Sequence, residues 1–345
     1  SVQWTEGVCV RGTARAVFIN SGNANAATGA QGIEDVQAIA EQVCLGLDIP
    51  ITEVAIGQTG VIGVPLPMDR LQRGLAACLD DLGPDDEAAA RAIMTTDTVP
   101  KRAACRVQLS HGPVTIGGVA KGAGMIQPNM ATMLCLIATD ARAELPALQA
   151  IVRAAADDSF HCIAVDNDLS TNDTLLLMAN GAAEQPAVAP DTEDYARLLA
   201  GVRHVCISLA QQIVRDGGGA TKFVEIDIEG AASDEDARRA ARAIALSQLC
   251  KTAFFGEDPN WGRFISAAGY SGAVFEPRDL SLWLGGLQLM EAGLPLDYAE
   301  ADAQAAMRAT DLHLRLALGD GPGRATFWTS DLSYDYVRIN AEYRT

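Results

Sequence analysis

A glycine-rich turn runs into a short apolar strand at Thr132, and this junction constrains the chain more than any other stretch. The turn is Lys121-Gly122-Ala123-Gly124-Met125-Ile126-Gln127-Pro128-Asn129-Met130-Ala131, and the apolar run 133–138 follows the threonine. A strand that opens on a threonine, behind a small residue, sets a hydroxyl at the mouth of a sheet. Breakage of the Ala131–Thr132 bond would give Thr132 a free α-amine beside its own hydroxyl. Such an amine has a reference pKa of about 7.7–8.0, so it accepts a proton near neutrality and can act as that hydroxyl's base. On composition alone, an inert strand threonine is the plainer reading. The four histidines, His111, His161, His204 and His313, offer no competing arrangement, since none stands in a serine–histidine–aspartate context.

At 345 residues the chain is long enough for two domains or one large, well-buried one. Its 49% hydrophobic content with 5% aromatics suits a globular protein. A net charge of −18 repels phosphate backbones and anionic lipid, so neither nucleic acid nor a membrane surface is expected as a partner. Apolar runs such as 134–138 fall far short of the roughly 20 residues a spanning helix needs. The start shows no basic segment ahead of an apolar core, so no signal peptide is expected. The eight cysteines are scattered without any C-x-x-C. That pattern predicts buried free thiols in the cytoplasm rather than disulfides or a zinc site.

Periodicity predicts a strand at 15–20, a helix at 33–45 ended by Gly46, and a strand at 54–58 that breaks at Thr59-Gly60. Helical patterns follow at 71–78 and 87–94, then a hairpin of 106–109 with 114–119 around His111-Gly112-Pro113. Beyond the threonine strand come a helix at 145–157, a strand at 175–178 and a long helix within 191–215. Residues 222–229 alternate apolar and acidic, as a half-exposed strand does, and Ser233 opens a helix with three acids in its first turn. Residues 186–190 read as a surface loop, and the pattern restarts after Glu229. Interleaved strands and helices with hairpins among them predict a mixed, not purely parallel, α/β fold.

Several runs resemble the bifunctional glutamate N-acetyltransferase/ornithine acetyltransferase family of arginine biosynthesis. Besides the Thr132 stretch they are NSGNANAATG at 20–29, QTGVIG at 58–63, MTTDT at 94–98 and DNDLSTND at 166–173. RDGGGATK at 215–222, GEDPNWGR at 256–263 and NAEYRT at 340–345 complete the set. So many, in order, make the resemblance specific. It implies a layered α/β sandwich, with mixed sheets packed between helices, made of two chains cut from one precursor. The expected parts are 1–131, ending at the cleavage site, 132–229, completing the catalytic domain, and 230–345, a C-terminal α/β domain whose tail returns to the site.

The resemblance assigns Thr132 as nucleophile and Ala131–Thr132 as the cleaved bond. It gives Thr59 and Gly60 the oxyanion hole, where a hydroxyl and a backbone N–H typically contribute about 3–4 kcal/mol each. Thr96, Lys121, Thr132, Asn340 and Thr345 fall on substrate-binding positions. Lys121 would hold a carboxylate of an amino-acid substrate. The implied reaction moves an acetyl group from N2-acetyl-L-ornithine to L-glutamate through an acetyl-threonine, without a cofactor. The implied assembly is a homo-oligomer of heterodimers. Two rival outcomes are a threonine-nucleophile amidase or aminopeptidase that uses water, and a processed inactive paralogue.

Asp166, Asp168 and Asp173 have a spacing seen in calcium loops, but the twelfth-position glutamate and the loop glycine are missing. They are expected to form turns and accept backbone N–H groups, and no metal is expected. The chain departs from the family in two places. Gly218 stands where the family run carries a glutamate that meets the substrate's amino group, a charge-assisted bond of roughly 1.5–3 kcal/mol. Only nineteen residues precede Asn20, where family members usually carry several dozen, so the expectation is either a truncated chain or the loss of a sheet edge that the family covers.

Overall fold

A computed structural model of the chain describes residues 1–127 and 133–342. Helix α1 (Val2–Arg11) precedes β1 (Ala16–Asn23), α2 (Gly29–Leu47), β2 (Val54–Val61), α3 (Met68–Asp80) and α4 (Asp86–Ala92). The hairpin of β3 (Lys101–Leu109) and β4 (Gly112–Lys121) leads to β5 (Leu134–Thr139), α5 (Leu145–Asp157), β6 (Ile163–Ala164), β7 (Thr174–Ala179) and α6 (Glu193–Arg215). Next come β8 (Phe223–Ala231), α7 (Asp234–Leu246), α8 (Gln248–Phe255), α9 (Trp261–Gly269), β9 (Ser281–Leu284) and β10 (Leu287–Glu291). The chain continues with β11 (Leu294–Pro295), α10 (Glu300–Met307), β12 (Asp311–Ala317), β13 (Gly323–Ser330) and α11 (Tyr334–Glu342).

Local chemistry sets several of these boundaries. Ser233 caps α7 by accepting the Asp236 N–H at 3.1 Å, and acids fill the positive first turn. Thr192 caps α6 through the Tyr195 N–H. In β8 the apolar residues Val224, Ile226 and Ile228 are buried, while Glu225, Asp227 and Glu229 on the opposite face are half-buried. On the parallel neighbour β12, Leu312, Leu314 and Leu316 meet that apolar row in register. Burying one face on both strands fixes the register, because a one-residue slip would turn every leucine outward.

The strands form three sheets. β1 and β2 pair in parallel, a four-stranded mixed sheet runs β3-β4-β5-β7, and a seven-stranded mixed sheet runs β11-β10-β9-β12-β8-β13-β6. Helix α6 packs on β3 and β4 and also touches β13, while α7 lies on β8 and β13. The result is the mixed α/β architecture that the sequence predicts. One large apolar core unites the four- and seven-stranded sheets with α5 to α7. A smaller core joins Val36, Ile39 and Val43 of α2 to Val54 and Ile56 of β2 and Leu75 of α3. Among the described residues, no helix is long and apolar enough to cross a membrane.

The structure differs from the sequence reading in instructive ways. β2 does not break before Thr59-Gly60; it continues to Val61 because β1 continues beside it, pairing Ser21 with Thr59 and Gly22 with Gly60. α2 passes through Gly46 and stops at Asp48, which takes a left-handed φ of 50°. Residues 186–190 are not simply a surface loop: Val188 is buried and bridges to Ala143. β9 to β13 escaped periodicity because they are short or gain their order from β8. The change of pattern after Glu229 falls inside β8. Helix α1 also covers the edge of β2 away from β1. Thr5 of α1 both donates to and accepts from Ile56 at 2.8 Å, and the Trp4 indole N–H reaches the Val54 carbonyl at 2.9 Å.

Candidate active site

Two glycines let separate segments converge at one place. Gly60 has φ +130°, and a Cβ there would lie 2.3 Å from the Gly22 carbonyl carbon and 2.6 Å from the Asn23 nitrogen. No side chain fits, so β2 can pass close to β1 and present the Thr59–Gly60 peptide at its end. Gly219 has φ +68°, and a Cβ there would lie 2.6 Å from the Tyr336 nitrogen. That close approach seats α11 on the 215–222 loop, where Ser333 Oγ donates to the Gly219 carbonyl at 2.6 Å.

Thr59, Gly60, Thr96, Lys121 and Asn340 all line one cavity of about 210 Å³. Its walls also include Thr95, Met125, Asp166, Asp168, Asn172 and Tyr336. Ala131, Thr132 and Thr345 lie outside the described residues. Among the described residues on either side of 128–132, β4 and β5 pair Lys121 with Leu134, and the Met133 N–H donates to Asp173 Oδ1 at 3.0 Å.

Lys121 is 2% exposed. Its Nζ donates to Thr95 Oγ1 at 2.8 Å and to Thr59 Oγ1 at 3.3 Å, and lies 3.9 Å from Asp97 Oδ2. Because Lys121 donates to Thr59, the threonine's own hydroxyl proton is left to point elsewhere. Burial lowers the Lys121 pKa, with nearby Lys101 adding to it and Asp97 and Asp173 opposing. Behind it lies a buried ion network. Lys101 Nζ is 2.6 Å from both Asp97 Oδ1 and Asp216 Oδ2. Asp97 also accepts the Gly122 N–H at 2.6 Å and the Thr95 N–H at 3.0 Å, so it fixes both segments that flank Lys121. Burial alone would raise the Asp97 carboxyl, but Lys101, Lys121 and the Gly122 N–H outweigh it and hold the carboxyl below its ordinary value.

Of the aspartates in 166–173, Asp166 and Asp173 accept backbone N–H groups as their sequence suggested, whereas the Asp168 carboxylate accepts none among the described residues. Asp166 accepts the Met125 N–H at 3.0 Å, the Ile126 N–H at 2.9 Å and the Tyr336 hydroxyl at 3.1 Å. Met125 thereby holds a left-handed φ of 53°. Burial raises the Asp166 carboxyl, against these donors. Asp173 is raised to about 7 by burial, with the Met133 N–H and Lys121 opposing. Asn172 donates to the carbonyls of Ala24 at 2.6 Å and Gln58 at 3.0 Å, joining this loop to the β1–β2 unit. Thr95, Asp97, Lys101, Asp216, Tyr336 and Asn172 have no distinguishing spacing in the sequence. The nearest signal was that most of them fall inside the singled-out runs.

Comparisons with known proteins show the family. The model described as "ArgJ family" matches residues 1–345. The arginine biosynthesis bifunctional protein ArgJ of Symbiobacterium thermophilum is 49% identical over 342 residues, covering 99% of this chain and 85% of that one. The protein of the same name in Geobacter sulfurreducens is 49% identical over 340 residues, covering 97% and 86%. A crystal structure of arginine biosynthesis bifunctional protein ArgJ from Bacillus halodurans superposes with a TM-score of 0.58 at 39% identity, over 59% of this chain and 96% of that one. With a match along the whole sequence and close relatives over almost all of it, the chain belongs to the ArgJ family, the bifunctional acyltransferases of arginine biosynthesis.

Proposed function

We propose that the chain cuts itself at Ala131–Thr132 and then carries an acetyl group from N2-acetyl-L-ornithine to L-glutamate on Thr132. The observation that carries this reading is the convergence of Thr59, Gly60, Thr96, Lys121 and Asn340, from distant segments, on one cavity beside the start of β5.

In the first half-reaction Thr132 Oγ attacks the acetyl carbonyl while the Thr132 α-amine takes the hydroxyl proton. The Thr59 hydroxyl and Gly60 N–H stabilise the resulting oxyanion. The C–N bond breaks, ornithine leaves with the proton, and an acetyl-threonine ester remains. The glutamate amine then attacks that ester, the C–O bond breaks, and Thr132 regains its proton. Lys121 holds a substrate carboxylate, with Thr96, Asn340 and Thr345 completing the binding surface. No cofactor enters these steps.

The processed chains are 1–131 and 132–345. β4 ends before the cut and β5 begins after it, so their ladder keeps the two chains interlocked. The part 132–229 completes the catalytic sheet around β5 and β7, and 230–345 returns Asn340 to the cavity. The paired chains assemble further into a homo-oligomer. Eight free cysteines suit the cytoplasm.

Intact mass under denaturing conditions tests the cut, with a second fragment expected to begin at Thr132. Thr132→Ala is expected to abolish both cleavage and ping-pong turnover, and an active Thr132→Ala protein would refute the assignment. Release of acetate at the same rate with and without glutamate would identify a hydrolase instead.

A further inference from the structure

The cavity has two unlike ends. Lys121 forms one, with the Thr59 and Thr95 hydroxyls bound to it. Gly124, Asp166, Tyr336 and Asn340 gather at the other, with Gly218 behind Asn340. A Cβ on Gly124 would lie 3.8 Å from both Asn340 Oδ1 and Asp166 Oδ2, and one on Gly218 would lie 3.6 Å from Asn340 Nδ2. Among the described residues that line the cavity, the charged ones are Lys121, Asp166 and Asp168. Asp166 is already occupied by three backbone N–H groups and the Tyr336 hydroxyl. Asp168 is not: its carboxylate accepts no hydrogen bond and meets no cation within 4.0 Å among the described residues. Its backbone is tied down, since the Asp168 N–H points to Asp166 Oδ1 at 3.4 Å. It also lies close enough to Tyr336 to act on it; burial, with Asp166 and Asp168 adding to it, pushes that hydroxyl well above its ordinary value. Gly218 places no side chain at this end.

We propose that Asp168 selects the acyl donor by receiving the side-chain ammonium of a dibasic amino acid whose α-carboxylate sits at the Lys121 end. This deepens the acetyl-transfer reading and rests on it. A cavity with one cationic and one anionic end complements a molecule with a carboxylate at one end and an ammonium at the other. The carboxylate waits at the open rim, where water solvates it cheaply. It gains most when the donor covers it and lowers the local dielectric. An acyl amino acid with a neutral side chain would leave Asp168 without a partner and lose that gain. No bond forms or breaks at Asp168.

The test compares wild type with Asp168→Asn on two donors, N2-acetyl-L-ornithine and N2-acetyl-L-norvaline, whose side chain ends in methyl instead of ammonium. Asparagine keeps the size and removes the charge. The expected result is a fall in kcat/KM for acetylornithine of about 10- to 100-fold, carried by KM, with acetylnorvaline unchanged within about twofold. Equal losses on both donors, or no loss on either, would overturn the proposal. Calorimetric binding of ornithine and norvaline to both proteins gives a second readout. If wild type transfers acetyl from neither donor, the acetyl-transfer reading fails, and the calorimetry alone decides. Ornithine-selective binding that disappears in Asp168→Asn then upholds Asp168, and selectivity that persists or never existed overturns it.

Discussion

Lys101→Met tests whether the buried network behind Lys121 supports the site. Lys101 and Asp97 side chains are both 0% exposed, and the Asp216 side chain is 5% exposed. Methionine fills the unbranched stem but removes the charge, leaving two carboxylates in a low-dielectric interior. Breaking a buried pair by deleting one partner costs about 3–5 kcal/mol, mostly the desolvation of what remains. For a chain of this size, at about 2 °C per kcal/mol, the melting midpoint should fall by roughly 6–10 °C. The deficit should depend on pH. In wild type the depressed Asp97 carboxyl contributes stability that is present above its unfolded value and lost as pH falls through the folded one. In the variant, burial becomes the dominant influence and raises the same carboxyl, so protonation relieves the cost. Wild type and variant should therefore differ most at about pH 8 and converge toward about pH 5. Turnover should fall as well, because Asp97 holds the Gly122 and Thr95 N–H groups beside Lys121. Scanning calorimetry at the two pH values checks this. A midpoint within 2 °C of wild type, or a deficit that widens in acid, would refute the reasoning.

Gly60→Ala should cut kcat by about 10²–10³, because its Cβ would collide with the Gly22–Asn23 backbone and push the Gly60 N–H off the oxyanion. The strain should cost about 1–3 kcal/mol of stability, and steady-state kinetics beside a thermal melt separate the two effects. Asp173→Asn should stabilise the fold at about pH 8 and leave it unchanged near pH 4. The Asp173 carboxyl is raised to about 7, so the folded state holds a proton that the unfolded state releases between about 4 and 7. Stability thus declines as pH rises through that window, by up to about 4 kcal/mol, and the neutral asparagine removes the decline. Urea midpoints at the two pH values measure it, and a destabilised variant at pH 8 would contradict the assignment.

What the sequence made legible follows from where the information is local. α5 matches its expected limits because its apolar positions recur at helical spacing with Pro146 at its start. β8 and the cap at Ser233 were legible for the same reason. The continuation of β2 through Thr59 and Gly60 was not, since only the parallel partner β1 holds those residues extended. Val188 shows the same limit, because its burial depends on Ala143 far away in the chain. The candidate site was legible where motif runs carry it. Its supporting groups were not, because Lys101 and Asp216, 115 positions apart, acquire meaning only when the fold brings them to 2.6 Å.

The position of the site follows from how the two cores meet. The small core around α2, β2 and α3 carries the Thr59–Gly60 end of β2. The large core carries β4, β5 and the loop that ends in β7. Polar contacts cross the seam between them: Asn172 to Ala24 and Gln58, Lys121 to Thr59, and Ser21 Oγ to the Ala92 carbonyl at 2.8 Å. A seam closed by hydrogen bonds tolerates a polar cavity that close-packed apolar side chains would fill. The proposed oxyanion donors Thr59 and Gly60 therefore come from one side of the seam and Lys121, Asp166 and Asn340 from the other. Under the proposed function, a substrate in the cavity would touch both sides, and its binding energy would be spent on aligning the Thr59–Gly60 edge with the start of β5. That division explains why a smaller sheet of only two strands is kept apart from the larger ones. It supplies half of the cavity on a separate support, beside the start of β5.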